Sequence, residues 1–408
     1  MLIAVVVFRF FADFRGRRDD TRIMNQTIRI ASVLFLCAAS LGAQTANRWT
    51  LFQALDWSGR LDYLHDQTSV KDDGPFLLQA LDLTDSSQVE SGTDQDSSLK
   101  KEITLLLIKM LAAHPEPGAV AAISRIPQEY KDPLLKGESW VALAKLGDKA
   151  FIPGLVTTLD SLNESGLRSR NEEIQAAYAV QALGILKASE GFRAVAGASL
   201  AWYSPASQVK VAAKKTLPLL VSDFEKAVTP LLADDQDLTF REGFFQEVVE
   251  MSDSAMAARA ASAVLSTLVY QRPGDKVDQD RTRRLTLAAF VAAQNSPHPP
   301  ASLVPSLKVL LGRTESYEIL AGSVRLLGRI DDPSAVALLS DTLAGFNLRQ
   351  KAGTNTTQDL ALVKELFQAL AQTGKAEARV TLDEARFSDY PPGFVREAQA
   401  AEDKLPRG

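Results

Sequence analysis

Trp140 to Leu159 reads WVALAKLGDKAFIPGLVTTL, and Ser323 to Leu343 reads SVRLLGRIDDPSAVALLSDTL. Each stretch ends one apolar helix, turns through a few polar residues, and opens a second, amphipathic helix. Ile152, Leu155, Val156 and Leu159 fall at i, i+3, i+4 and i+7, which places them on one stripe of an α-helix. Two weaker copies follow the same plan: Ala179 to Leu200 (AVQALGILKASEGFRAVAGASL) and Glu365 to Ala385 (ELFQALAQTGKAEARVTLDEA). A helix pair of this kind has a face it cannot bury alone, so neighbouring pairs must stack. Small residues such as Ala142, Ala182 and Gly328 let the stacked helices come close.

The pattern resembles the HEAT family and its HEAT-like, armadillo-type relatives. In that family the first helix ends in a motif like A-L-x-x-L-G-D. Leu143-Ala144-Lys145-Leu146-Gly147-Asp148 fits it, and Leu326-Leu327-Gly328-Arg329-Ile330-Asp331-Asp332 fits nearly as well. The other two windows depart from it at Lys187 and Thr373. The 34-residue period and Trp-Leu-Gly-Tyr signature of the TPR family do not occur. The resemblance implies an all-α fold, an α-solenoid (alpha-alpha superhelix) of about seven to eight stacked helical hairpins over residues 99–405. It also implies that the second helices, near 151–162, 191–203, 222–233, 300–311 and 335–344, line a binding face.

Working outward, the rest of the chain agrees with helices. Apolar residues are 46%, charged residues 23% and aromatics only 7% of the 408 residues, the balance of a folded protein built from Ala- and Leu-rich helices. Ile103, Leu106, Leu107, Met110 and Leu111 again make one helical stripe. Breakers such as Pro115-Glu116-Pro117-Gly118, Asp234-Asp235, Pro273-Gly274, Asp331-Asp332-Pro333 and Gly374 cut the chain into short helices, with Asp or Ser placed to cap the next one. No run alternates apolar and polar residues as a strand would. Residues 44–98 differ: an aromatic opening with Trp49, Phe52 and Trp57 suits a terminal cap, and the polar stretch Thr84 to Ser98 suits a flexible loop.

Residues 24–43 carry a positively charged start, the apolar run Ile30 to Leu41, and small residues at the exit, as a secretory signal peptide does. Residues 1–23 are expected to be a start-site artefact, with a long leader or an amino-terminal anchor as the alternative. Residues 1–43 hold six Arg and three Asp, so their removal takes the formal net charge from −5 to −8. An acidic chain gains nothing from phosphates, so nucleic acid is not the expected partner. The mature chain has no membrane span and, with Cys37 inside the leader, no cysteine. The expected location is therefore periplasmic or extracellular, and a lipoprotein anchored through Cys37 is the alternative.

Chemistry is sparse. His65, His114 and His298 lie far apart, in or beside loops, with no metal-ligand spacing. Asp94 to Ser98, Asp234 to Asp237 and Asp275 to Asp280 read as caps and turns rather than calcium loops. No cofactor is expected. Arg193, Trp202 and Tyr203 are residue types that anchor protein interfaces, although Trp202 equally suits packing between repeats. The expectation is a non-catalytic, exported scaffold or adaptor that binds a protein partner along an extended helical surface. A lipid-anchored form of it and a HEAT-like, lyase-type enzyme are the alternatives.

Overall fold

The computed structural model describes residues 48–66, 73–84, 95–114, 116–272 and 274–407. The expected leader at 24–43, the segment 1–23 and Cys37 lie outside the described residues, as do 85–94 of the polar stretch. The fold is all-α, a helical solenoid, with no strand among the described residues. Two units meet between Lys149 and Ala150.

The first unit contains α1 (48–54), α2 (Trp57–Asp66), α3 (Gly74–Leu83), α4 (Gln95–Ala113), α5 (Ala119–Glu129) and α6 (Pro133–Lys145). Its aromatic opening folds into one cluster in which Phe52 and Phe76 meet edge to face at 5.3 Å, with Trp49 and Tyr63 against them. Trp57 lies under the guanidinium of Arg60, 4.3 Å away. Asp132 caps α6 by accepting from the amides of Leu134 and Leu135, and Pro133 fills the first helical position, where no amide is needed.

The second unit contains α7 (Ile152–Asn163), α8 (Arg170–Leu186), α9 (Phe192–Leu200), α10 (Val209–Leu220), α11 (Phe224–Asp234), α12 (Leu238–Met251), α13 (Ser254–Leu268), α14 (Lys276–Asn295), α15 (Val304–Arg313), α16 (Tyr317–Leu327), α17 (Pro333–Lys351), α18 (Thr357–Thr373), α19 (Ala378–Arg386) and α20 (Pro392–Glu402). Its helix packing joins elements no more than three places apart along the chain. That is the signature of stacking, in which each pair hides its apolar face on its neighbours. Fully buried Leu155, Leu183, Leu265, Leu307 and Leu366 mark successive layers of the core, each worth about 1.5–3 kcal/mol on burial.

The turns obey local chemistry. Ser169 and Glu172 form a capping box at α8, and Thr356 and Asp359 form another at α18. Asp223, Asp237, Asp253, Asp275 and Asp332 each accept from a first-turn amide of the helix that follows, so acidic turn residues act as caps. Gly374 ends α18 in the left-handed region at φ 65°, the conformation a glycine adopts without a Cβ clash.

One link in the array differs. The even-numbered helices stack in series from α12 through α20, and α8 stacks on α10. Between α10 and α12 no packing contact of comparable extent exists, and α9 turns onto α12 instead. Gly243 lies at this contact, where a Cβ would stand 3.2 Å from the Leu200 side chain. A slot is left between α10 and α12.

Candidate functional site

The slot is built around α9, a nine-residue helix with sequence FRAVAGASL. Ala194, Val195, Ala196 and Ala198 are buried because α7, α8, α10 and α12 all pack on this one short rod. Small side chains permit that crowding; a Cβ on Gly197 would fall 2.9 Å from the Asn163 amide nitrogen. The stretch 191–203 is thus mostly enclosed, and what it presents to solvent lies at its two ends.

At the amino-terminal end Arg193 donates through Nε to Asp235 at 2.9 Å, and its guanidinium sits 4.9 Å over the Phe240 ring. The hydrogen bond to Asp235 raises its pKa, helped by Asp160 and Asp237. Asp160 is half-buried; desolvation lifts its carboxyl above the usual range, against the pull of Arg193 and with a push from Glu164. Beneath them Arg241 is fully buried, donating through Nη2 to the Val264 carbonyl and to the Thr267 hydroxyl. Its Nε and Nη1 make no hydrogen bond within the described residues. Burial lowers its pKa, opposed by Asp235 and Asp234. A cation at the carbonyl end of α13 is favoured by the helix dipole.

At the carboxyl-terminal end the indole of Trp202 donates to the Leu162 carbonyl at 3.0 Å, and the Tyr203 hydroxyl donates to Asn163 Oδ1 at 2.9 Å. The rings touch, 4.7 Å apart. Tyr203 is only 1% exposed, and burial pushes its phenol well above the usual range. So Trp202 and Tyr203 bind α9 to α7, while Arg193 keeps an exposed face. The structure sets Arg193 at one end of α9 and Trp202 and Tyr203 at the other, and offers them to solvent unequally.

The slot opens beyond Leu200. It has a volume of about 330 Å³ and is lined by Ser199, Leu200, Lys210, Val211, Lys214 and Glu247, among others. Lys214 Nζ crosses it to Glu247 at 2.5 Å and to Glu250 at 3.5 Å, and the bond to Glu247 raises the lysine's pKa. Val211 and Leu219 stay 44% and 58% exposed, with Lys215 between them on the same stripe of α10. These residues were invisible to sequence reasoning, because Val209 to Leu220 reads as an ordinary amphipathic helix. The signal that could have found them is a helix with three lysines and no carboxylate inside an acidic chain.

A second depression, about 390 Å³, lies in the first unit between α3 and α5, where Arg125 and Asp82 are paired at 2.8 Å. Among the described residues no three or more His, Cys, Asp or Glu side chains are grouped to hold a metal ion. No described helix is long and apolar enough to cross a membrane.

Comparison with solved structures finds human deoxyhypusine hydroxylase in complex with glycerol, at 17% identity and a TM-score of 0.25, covering 80% of this chain and 96% of that one. No family model and no curated protein matches. The expectation of a non-catalytic adaptor is corrected by this match: the structure found is that of an enzyme, and missing sequence motifs do not make a helical array inert. Fold-level likeness this distant carries no activity, substrate or metal to the present chain.

Proposed function

We propose that this chain takes hold of a protein client outside the cytoplasm and receives it at the slot between α10 and α12. The observation that carries the reading is the interruption itself: α12 through α20 stack in series, while the link between α10 and α12 stands open and is lined by exposed Val211. Exposed apolar side chains beside an open groove are what a partner chain buries on docking. The acidic balance of the chain argues against a phosphate backbone as the ligand. Export rests on the leader-like residues 24–43, and a HEAT-like origin rests on the turns Leu143 to Asp148 and Leu326 to Asp332. The reading covers a client that is chemically changed as well as one that is held.

Site-specific photo-crosslinking tests it. A photoreactive residue at Val211 should trap a defined protein in the envelope fraction, and one at exposed Ala337 on α17 should not. Mass comparison of the trapped client, with and without this chain in the cell, reads any chemical step. Equal, non-selective labelling from both positions would contradict the proposal. Mass spectrometry of the mature amino terminus checks export: a start at Ala43 or Gln44 supports the secretory leader, and an acylated Cys37 replaces it with a lipid anchor.

A further inference from the structure

Resting on that reading, we infer that the slot selects an acidic client segment, one carrying carboxylates on either side of a single apolar side chain. The slot wall formed by α10 has Lys210 and Lys214 facing the opening, Lys215 beside it, and no Asp or Glu anywhere on the helix. Neither Lys210 nor Lys215 takes part in an ion pair among the described residues. In a chain of net charge −5, this wall of the slot is cationic: Glu247 and Glu250 on the facing wall answer Lys214, and Lys210 and Lys215 are left over. Charge complementarity of this kind selects partners more than it tightens them.

The facing wall already contains a stand-in for the client. Glu250 reaches Lys214 at 3.5 Å while its side chain remains 69% exposed, whereas Glu247 holds the same ammonium at 2.5 Å and is only 16% exposed. A client carboxylate arriving from solvent takes the place of Glu250 on Lys214, and Glu247 stays. A second client carboxylate then falls to Lys210 or Lys215. Between them, Val211 and Leu200 supply the apolar floor on which one aliphatic side chain is buried. The volume of about 330 Å³ suits a few residues of extended chain rather than a folded surface.

The test uses fluorescence anisotropy of the purified full chain with three labelled ten-residue peptides. One is Asp/Glu-rich with a central Leu, one has that Leu replaced by Ser, and one has every acid replaced by Lys. The acidic Leu peptide should bind, weaken as salt is raised, and outcompete both others by at least tenfold. Lys210→Glu combined with Lys215→Glu should lower its affinity at least tenfold with an unchanged thermal melt, since Lys215 is exposed, Lys210 is half-exposed at the slot, and neither is in an ion pair among the described residues. Glu250→Gln should tighten binding several-fold by removing the internal competitor. Equal binding of all three peptides, or an unaltered affinity in the double lysine variant, overturns the inference. Crosslinking from Val211 without acidic-peptide binding overturns it too, yet leaves the client reading standing; peptide binding without any Val211 crosslink does the reverse.

Discussion

Gly328 lies directly against the backbone of Ala369: a Cβ on Gly328 would stand 2.8 Å from both the Cα and the carbonyl oxygen of Ala369. The neighbour is main chain, so it cannot swing aside. Gly328 closes α16 and Ala369 belongs to α18, so two repeats approach here as closely as main chain allows. Gly328→Ala should therefore destabilise by about 1–3 kcal/mol in urea unfolding. Gly345 lies inside α17 with nothing within 4 Å of its notional Cβ. Gly345→Ala should stabilise by about 0.5–1 kcal/mol through helix propensity alone. The two opposite signs are the check.

The even-numbered helices are also joined by a relay of ion pairs. Arg284 on α14 reaches back to Glu242 on α12, and its neighbour Arg283 reaches forward to Glu318 on α16. On α18, Glu365 reaches back to Arg325 through two bonds, and its neighbour Lys364 reaches forward to Glu397. The Arg325–Glu365 pair, like Arg284–Glu242, engages both carboxylate oxygens, and Glu365 is largely covered. A double-mutant cycle with Arg325→Ala and Glu365→Ala should return a coupling of about 0.5–1 kcal/mol that shrinks in high salt. A coupling near zero would remove the relay from the account.

Lys187 ends α8 in the left-handed region at φ 50°, where the Cβ crowds the backbone. The side chain is exposed, so nothing else is lost on its removal. Lys187→Gly should raise the stability of the chain by about 1 kcal/mol, read as a shift of the urea midpoint at constant slope. No gain would mean that the native turn carries no strain.

Alkali should weaken the fold through its buried tyrosines. Burial pushes the Tyr390 phenol up to about 12, partly offset by Asn355 and Arg349. Below pH 10 both folded and unfolded states hold this proton, so the group is neutral in the balance. Between about 10 and 12 the unfolded chain releases it while the folded chain keeps it, and stability falls as pH rises, by up to about 1.4 kcal/mol per pH unit. Tyr390→Phe should flatten that decline between pH 10 and 12 in unfolding experiments. An identical slope in the variant would show that the phenol is not held neutral by burial.

The helical class, the stacking and the turns were legible because they rest on local chemistry. Gly147-Asp148 and Asp332-Pro333 are signals within a few residues, and the structure places a left-handed Gly147 and an Asp332 cap there. Gly328 was singled out for close approach, and it makes one. The slot was not legible. Val209 to Leu220 has the same helical period as its neighbours, and nothing in a period reports that the next even-numbered helix stands off. Arg241 was not legible either: nothing in the sequence around Phe240, Phe244 and Phe245 announces a buried guanidinium, which the carbonyl end of α13 holds inside. Tyr203 shows the limit in the other direction, since an interface-type residue spends its hydroxyl on Asn163.

Hydrogen exchange on a chain ending at Gly374 addresses the stacking most directly. Without α19 and α20, whose packing reaches only α17 and α18, the amides of α7 through α14 should keep the protection they have in the full chain, and loss should be confined to α17 and α18. Protection lost throughout α7 to α14 would mean that distant helices hold one another, and the nearest-neighbour array would be wrong.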